Sequence, residues 1–104
     1  MNEIRSMLIK FTMNDKDTPA GKLADAELHF LNGILQGLKL IGFMVWEGKR
    51  GGRNVTFPAR TYSVNGERRS YSLLRPTADS NAQEVLRDLI LEAYGHEERA
   101  ANSR

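Results

Sequence analysis

Between residues 49 and 75 the sequence carries Lys49, Arg50, Arg53, Arg60, Arg68, Arg69 and Arg75 against a single acid, Glu67, a local charge of +6. The remainder holds eight cations and twelve acids, or −4, so a chain of net charge +2 is strongly polarised along its length. Six of the seven cations are arginine, whose planar guanidinium offers paired donors matched to phosphate oxygens. Each phosphate neutralised in this way also releases counterions. Tyr62 and Tyr71 flank Arg68 and Arg69, where they can stack bases or simply pack. A solvated pair of charged hairpins has the same composition, so position must decide between the two.

Other chemistries find little support. Gly48-Lys49-Arg50-Gly51-Gly52 has neither the Walker spacing nor that of the dinucleotide fingerprint, and a strand follows where a phosphate loop requires a helix. His29 and His96 are far apart, with no second histidine at metal-ligand spacing, and the chain has no cysteine. Asp15 and Asp17 lack the rest of a calcium loop. No nucleophile elbow is present. The expectation is therefore a protein that binds and does not catalyse, with no metal and no small-molecule cofactor.

These side chains need elements to hold them. Met7, Ile9, Phe11 and Met13 alternate with more polar residues, the period of a half-buried strand. Residues 14–21 are dense in turn formers. From Lys22 to Leu31, Ala24, Ala26, Leu28 and Phe30 alternate with Asp25, Glu27 and His29; Ala, Leu and Glu also favour helix, but the alternation points to a strand. Asn32-Gly33 predicts a type I′ turn leading directly into a central strand from Ile34 to Trp46. After the Gly48–Arg53 turn, Asn54 to Phe57 extends again and ends at Pro58, which cannot donate to a ladder. A second Asn-Gly, Asn65-Gly66, joins Thr61–Val64 to Glu67–Leu74 as a hairpin or protruding ribbon.

Beyond Pro76 the period changes. Ser80 and Gln83 form a capping-box pattern, and Ala82, Val85, Leu86, Leu89, Ile90 and Ala93 repeat at helical spacing up to Gly95, which suits a C-cap. The predicted architecture is α+β: about five antiparallel strands packed by one C-terminal helix, a single domain over residues 1–95, with 96–104 as a flexible polar tail. Phe30, Phe43, Trp46 and Phe57 are expected chiefly in the core or a dimer interface, with Trp46 the most exposed. The 104 residues leave no room for a second domain, and the 40% apolar content is ordinary for a globular fold. The absence of cysteine fits a reducing compartment, and no apolar run is long enough for a signal core or a membrane span. Cytoplasm is the expected location.

The order of elements and several local strings resemble the SpoVG family of bacterial regulators, the stage V sporulation or septation protein G family. Leu38-Lys39-Leu40-Ile41 is similar to that family's apolar-basic-apolar-apolar strand, and Val55-Thr56-Phe57-Pro58-Ala59-Arg60 to its strand ending in Met-Pro followed by basic residues. Gly66-Glu67-Arg68-Arg69 resembles its Gly-Glu-aromatic-Arg turn, Pro76 the proline before its helix, and Asp88 to Tyr94 a helix end with Asp and Tyr at the same spacing. The resemblance implies a homodimeric, non-enzymatic, site-preferring DNA or RNA binder acting in gene regulation.

Together these readings predict a nucleic-acid surface made of Lys49, Arg50, Arg53, Arg60, Arg68, Arg69 and Arg75, with the two hairpins and Arg60 emerging on one side of the sheet. The alternative is a protein-interaction module in which an exposed sheet edge pairs with a partner strand. The two differ in salt dependence, which is steep only for the polyanion binder.

Overall fold

The computed structural model describes residues 7–16, 18–78 and 81–102. Six strands and a helix follow in order: β1 (Met7–Met13), β2 (Lys22–Phe30), β3 (Lys39–Glu47), β4 (Arg53–Thr56), β5 (Ala59–Val64), β6 (Glu67–Ser72) and α1 (Ala82–Asn102). The α+β class with antiparallel pairing and one C-terminal helix is as expected. The single five-stranded sheet is not: β1 to β4 form one four-stranded meander, and β5 and β6 form a separate two-stranded ribbon. Pro58 explains the break, because it stands between β4 and β5 and is itself buried at the ribbon's base.

One face of the meander makes the core. Ala24, Ala26 and Leu28 of β2, Phe43 and Val45 of β3 and Val55 of β4 are enclosed with Ile90 and Tyr94 of α1. The strand residues fall at every second position and the helix pair at i and i+4, so each element contributes the stripe its own period dictates. Met7, Ile9, Phe11, Leu86 and Leu91 pack around this cluster. Edge-to-face rings tie the layers together, Phe11 to Tyr94 at 5.7 Å and Phe43 to Phe57 at 5.1 Å. Trp46 is half-buried, and its indole N–H donates to Thr56 Oγ1 at 2.9 Å across the β3–β4 pair.

Two further expectations need correction. The predicted hairpin at Asn32-Gly33 is instead a loop over residues 31–38, and β3 begins only at Lys39. The Gly37 N–H donates to the Phe30 carbonyl and the Phe30 N–H to the Leu38 carbonyl, while Gly33 and Gly37 adopt φ of +79° and +88°. Ile34, Leu35 and Leu38 therefore sit on successive turns, not on a ladder, and Ile34 is 99% exposed. Apolar content without alternation misled the strand assignment. The helix, in turn, does not stop at Gly95 but continues to Asn102, because His96 to Ala101 are acceptable helix formers and Glu98 finds a partner on β4. Ser80 of the capping box lies outside the described residues; Gln83 turns away from such a role and donates its amide to the Leu74 carbonyl at 2.7 Å.

A bulge in β3 prepares the ribbon's seat. Ala26 pairs with Phe43 and Leu28 with Leu40, so Ile41 and Gly42 together oppose Glu27. Gly42 has φ +106°, and a Cβ there would come within 2.9 Å of the Pro58 Cβ. Backbone conformation and space both require glycine. Gly42→Ala should therefore cost about 2 kcal/mol or more, read as a lowered thermal midpoint, and should perturb amide resonances at Pro58 neighbours before those of the β1–β2 pair.

Candidate nucleic-acid interface

The ribbon of β5 and β6 projects from the core. Every residue of it is exposed apart from half-buried Ser72, and its strands pair chiefly with one another. The radius of gyration, 15.3 Å, exceeds the about 13 Å of a compact chain of this length, as a protruding arm requires. Asn65-Gly66 closes its tip with φ of +52° and +82°, the pair of positive values a type I′ turn needs. At the base the Leu73 N–H donates to the Pro58 carbonyl at 2.9 Å and the Ser72 hydroxyl to the Leu74 carbonyl at 2.9 Å. Gln83 of α1 grips the same carbonyl, so the helix start and the ribbon base share one acceptor.

Register then sorts the charges. Directly opposed residues of an antiparallel pair share a face. Arg60 opposes Tyr71, Tyr62 opposes Arg69 and Val64 opposes Glu67, which puts Arg60, Tyr62, Arg69 and Tyr71 on one face. Ser63 opposes Arg68 and Thr61 opposes Ser70 on the other. On the first face the Tyr62 and Tyr71 rings lie 5.8 Å apart along the diagonal, and the Arg75 guanidinium stands over Tyr71 at 5.9 Å. Arg69 also approaches Glu67 at 3.5 Å, an exposed pair that contributes little and does not hold the arginine. The result is two aromatic rings bordered by Arg60, Arg69 and Arg75, open to solvent.

The other expected cations do not join this group. Arg68, although adjacent to Arg69, projects from the opposite face by the parity of the strand. Lys49 and Arg50 sit exposed on the turn at the start of β4, away from Pro58, so the length of that strand separates them from the ribbon's base. Arg53 is committed to the helix: it donates to Glu98 at 2.7 Å and lies over the Tyr94 ring at 5.1 Å. The Glu98 hydrogen bond raises its pKa further above the ordinary guanidinium value, against a smaller opposing effect of burial. Burial, with the Glu98 charge adding to it, also pushes the Tyr94 hydroxyl up. The expectation that both hairpins and Arg60 emerge on one side of a common sheet is therefore corrected.

One cation escaped the sequence reading. Arg87 of α1 lies with its guanidinium 5.3 Å from the Phe57 ring, facing the ribbon's second face across a crevice, and its Nε is buried without a hydrogen-bond partner. The only trace in the sequence is its i+4 spacing from Gln83, which puts both on the side of the helix that meets the ribbon.

The histidines lie elsewhere. His29 bonds Glu27 at 2.9 Å on the open face of the meander; this bond above all, aided by Lys39 and opposed by burial, holds Glu27 below the usual carboxylate range. His96 contacts Arg99 at 3.0 Å. Among the described residues no three His, Asp or Glu side chains gather closely enough to hold a metal ion, and no helix is long and apolar enough to cross a membrane.

Arg53 separates structural from interfacial roles experimentally. Arg53→Ala should lower stability by about 1 kcal/mol, through the lost ion pair and ring contact, without changing the salt dependence of any polyanion binding. Paired thermal melts and salt titrations read both quantities. In comparisons with known proteins, no family model, no curated protein and no solved structure matches this chain.

Proposed function

We propose that this protein is a non-enzymatic nucleic-acid-binding regulator whose ribbon engages a single strand, bases stacking on Tyr62 and Tyr71 and phosphates meeting Arg60, Arg69 and Arg75. One observation carries the reading: an exposed pair of tyrosine rings 5.8 Å apart, bordered on the same face by arginines. In an interior such rings pack against a core, but here both are exposed, each lies beside the other, and Arg75 stands over Tyr71. Aromatic faces accept any base, and a stacked base contributes about 1–3 kcal/mol. The similarity to SpoVG regulators in strand, turn and helix strings supports the same class, and with it an intracellular, cytoplasmic setting.

The salt dependence tests it. Arg60→Ala combined with Arg69→Ala should reduce the magnitude of the log–log salt slope by about 1.4–1.8 and leave the thermal midpoint nearly unchanged, since both residues are exposed. Tyr62→Ala should instead weaken single-strand binding at constant slope. Titrations of duplex DNA, single-stranded DNA and RNA probes distinguish these effects; a parental slope in the arginine double variant, or parental single-strand affinity in Tyr62→Ala, would refute the reading.

A homodimer is part of the proposal. Leu31, Ile34, Leu35, Leu38 and Ile41, on and beside the 31–38 loop, are all exposed, and apolar side chains gathered at a surface mark an interaction site. Sedimentation at micromolar concentration should give twice the monomer mass, and Ile34→Asp with Leu38→Asp should return it to the monomer.

The open edge of β1 favours a second reading, a module that adds a partner strand there. Such pairing would be nearly insensitive to salt and would be lost on placing proline in β1, whereas ribbon variants would not affect it.

A further inference from the structure

We infer that the crevice between the ribbon's second face and the β4–α1 surface is a phosphate-binding subsite centred on Arg87. Its volume is about 350 Å³, with Phe57 in its lining and polar groups from three elements: Asn54 of β4, Ser70 and Ser72 of β6, and Gln83 and Arg87 of α1. No acid lines it. Arg87 is thus a cation without compensation: among the described residues no carboxylate stands within ion-pair distance, and its buried Nε–H has no acceptor.

A guanidinium with no carboxylate beside it has as its natural complement an anion that accepts several hydrogen bonds at once. Phosphate satisfies the guanidinium fork and leaves oxygens for the Ser70 hydroxyl. Ser72 and Gln83 are already spent on the Leu74 carbonyl, which fixes the walls and leaves the other donors for a ligand. The Phe57 ring under the guanidinium holds it in place. Tyr71 also lines the crevice, so this subsite and the stacking face meet at one residue. The phosphate group can come from a nucleic-acid backbone or from a free nucleotide or phosphate ion. The inference stands on the crevice alone and does not require the stacking role of the tyrosines.

The Nε–Hε resonance of Arg87 reports occupancy directly in a proton–nitrogen correlation spectrum of the full chain. It should move saturably on titration with inorganic phosphate, with adenosine monophosphate and with a short single-stranded oligonucleotide, and should not follow chloride at matched ionic strength. Arg87→Gln should abolish the response of the crevice amides. Because that side chain also packs on Phe57, Ser70→Asp provides the independent variant: an exposed strand residue becomes a carboxylate facing the site, and phosphate affinity should fall roughly tenfold or more with the fold intact. Loss of phosphate binding in Ser70→Asp with unchanged oligonucleotide affinity would uphold the subsite and assign it to free phosphate. Failure of both phosphate and oligonucleotide to move the Arg87 resonance, or an equal response in Ser70→Asp, would overturn the inference. Loss of oligonucleotide binding in Tyr62→Ala while the phosphate response persists keeps the two sites' tests separate.

Discussion

The contact between Gly42 and Pro58 governs where everything functional in this protein stands. The β3 bulge gives up a side chain at the one place where the chain, leaving β4, must cross close to the sheet. Pro58 then ends the meander and starts the ribbon in the same step. The position of the tyrosine pair, the acceptor that Gln83 grips and the crevice beneath Arg87 all follow from that close approach. A two-stranded ribbon has no core of its own and is marginal in isolation, so its seat and the bonds at its base supply the stability that its strands lack.

The arginines divide into three kinds of work that composition treats as one. Arg53 closes the last turns of the helix onto β4 through Glu98 and Tyr94, and is part of the fold. Arg87 is held between an aromatic ring and an open crevice, with one donor unsatisfied. Arg60, Arg69 and Arg75 stand around exposed rings, where their charge contributes little to folding and is available to a polyanion. The apolar residues divide similarly: those at alternate positions of β2 and β3 build the core, while those of the 31–38 loop remain at the surface.

Much of this was legible from period and turn chemistry. The alternation from Met7 to Met13 and from Lys22 to Phe30 located β1 and β2 almost to the residue, and Asn65-Gly66 announced the ribbon's tip. What escaped depends on information that a local pattern does not hold. The bulge at Gly42 is visible only once β2 and β3 are in register, and the helix passes Gly95 because Glu98 has a partner 45 residues earlier. For the candidate site, segment and residue types were readable but geometry was not: Arg68 and Arg69 look equivalent in a charge count and differ by strand parity. Arg87, alone on a helix among ordinary neighbours, becomes notable only when the ribbon is placed against it.

The meander has a kinetic side. Each of β1 to β4 pairs with the strand next to it in the chain, and β5 pairs with β6 across a tight turn. Little entropy is spent on closing long loops before these contacts form, the regime in which small proteins fold quickly. Only α1 must return across the chain to pack on β1 and β4, so the search for the native state reduces largely to docking one helix on a sheet assembled by its neighbours. The ribbon, closed by its own turn, can form before or after that docking. Its speed of formation is set by Asn65-Gly66, while its capture waits for Pro58 to reach the bulge.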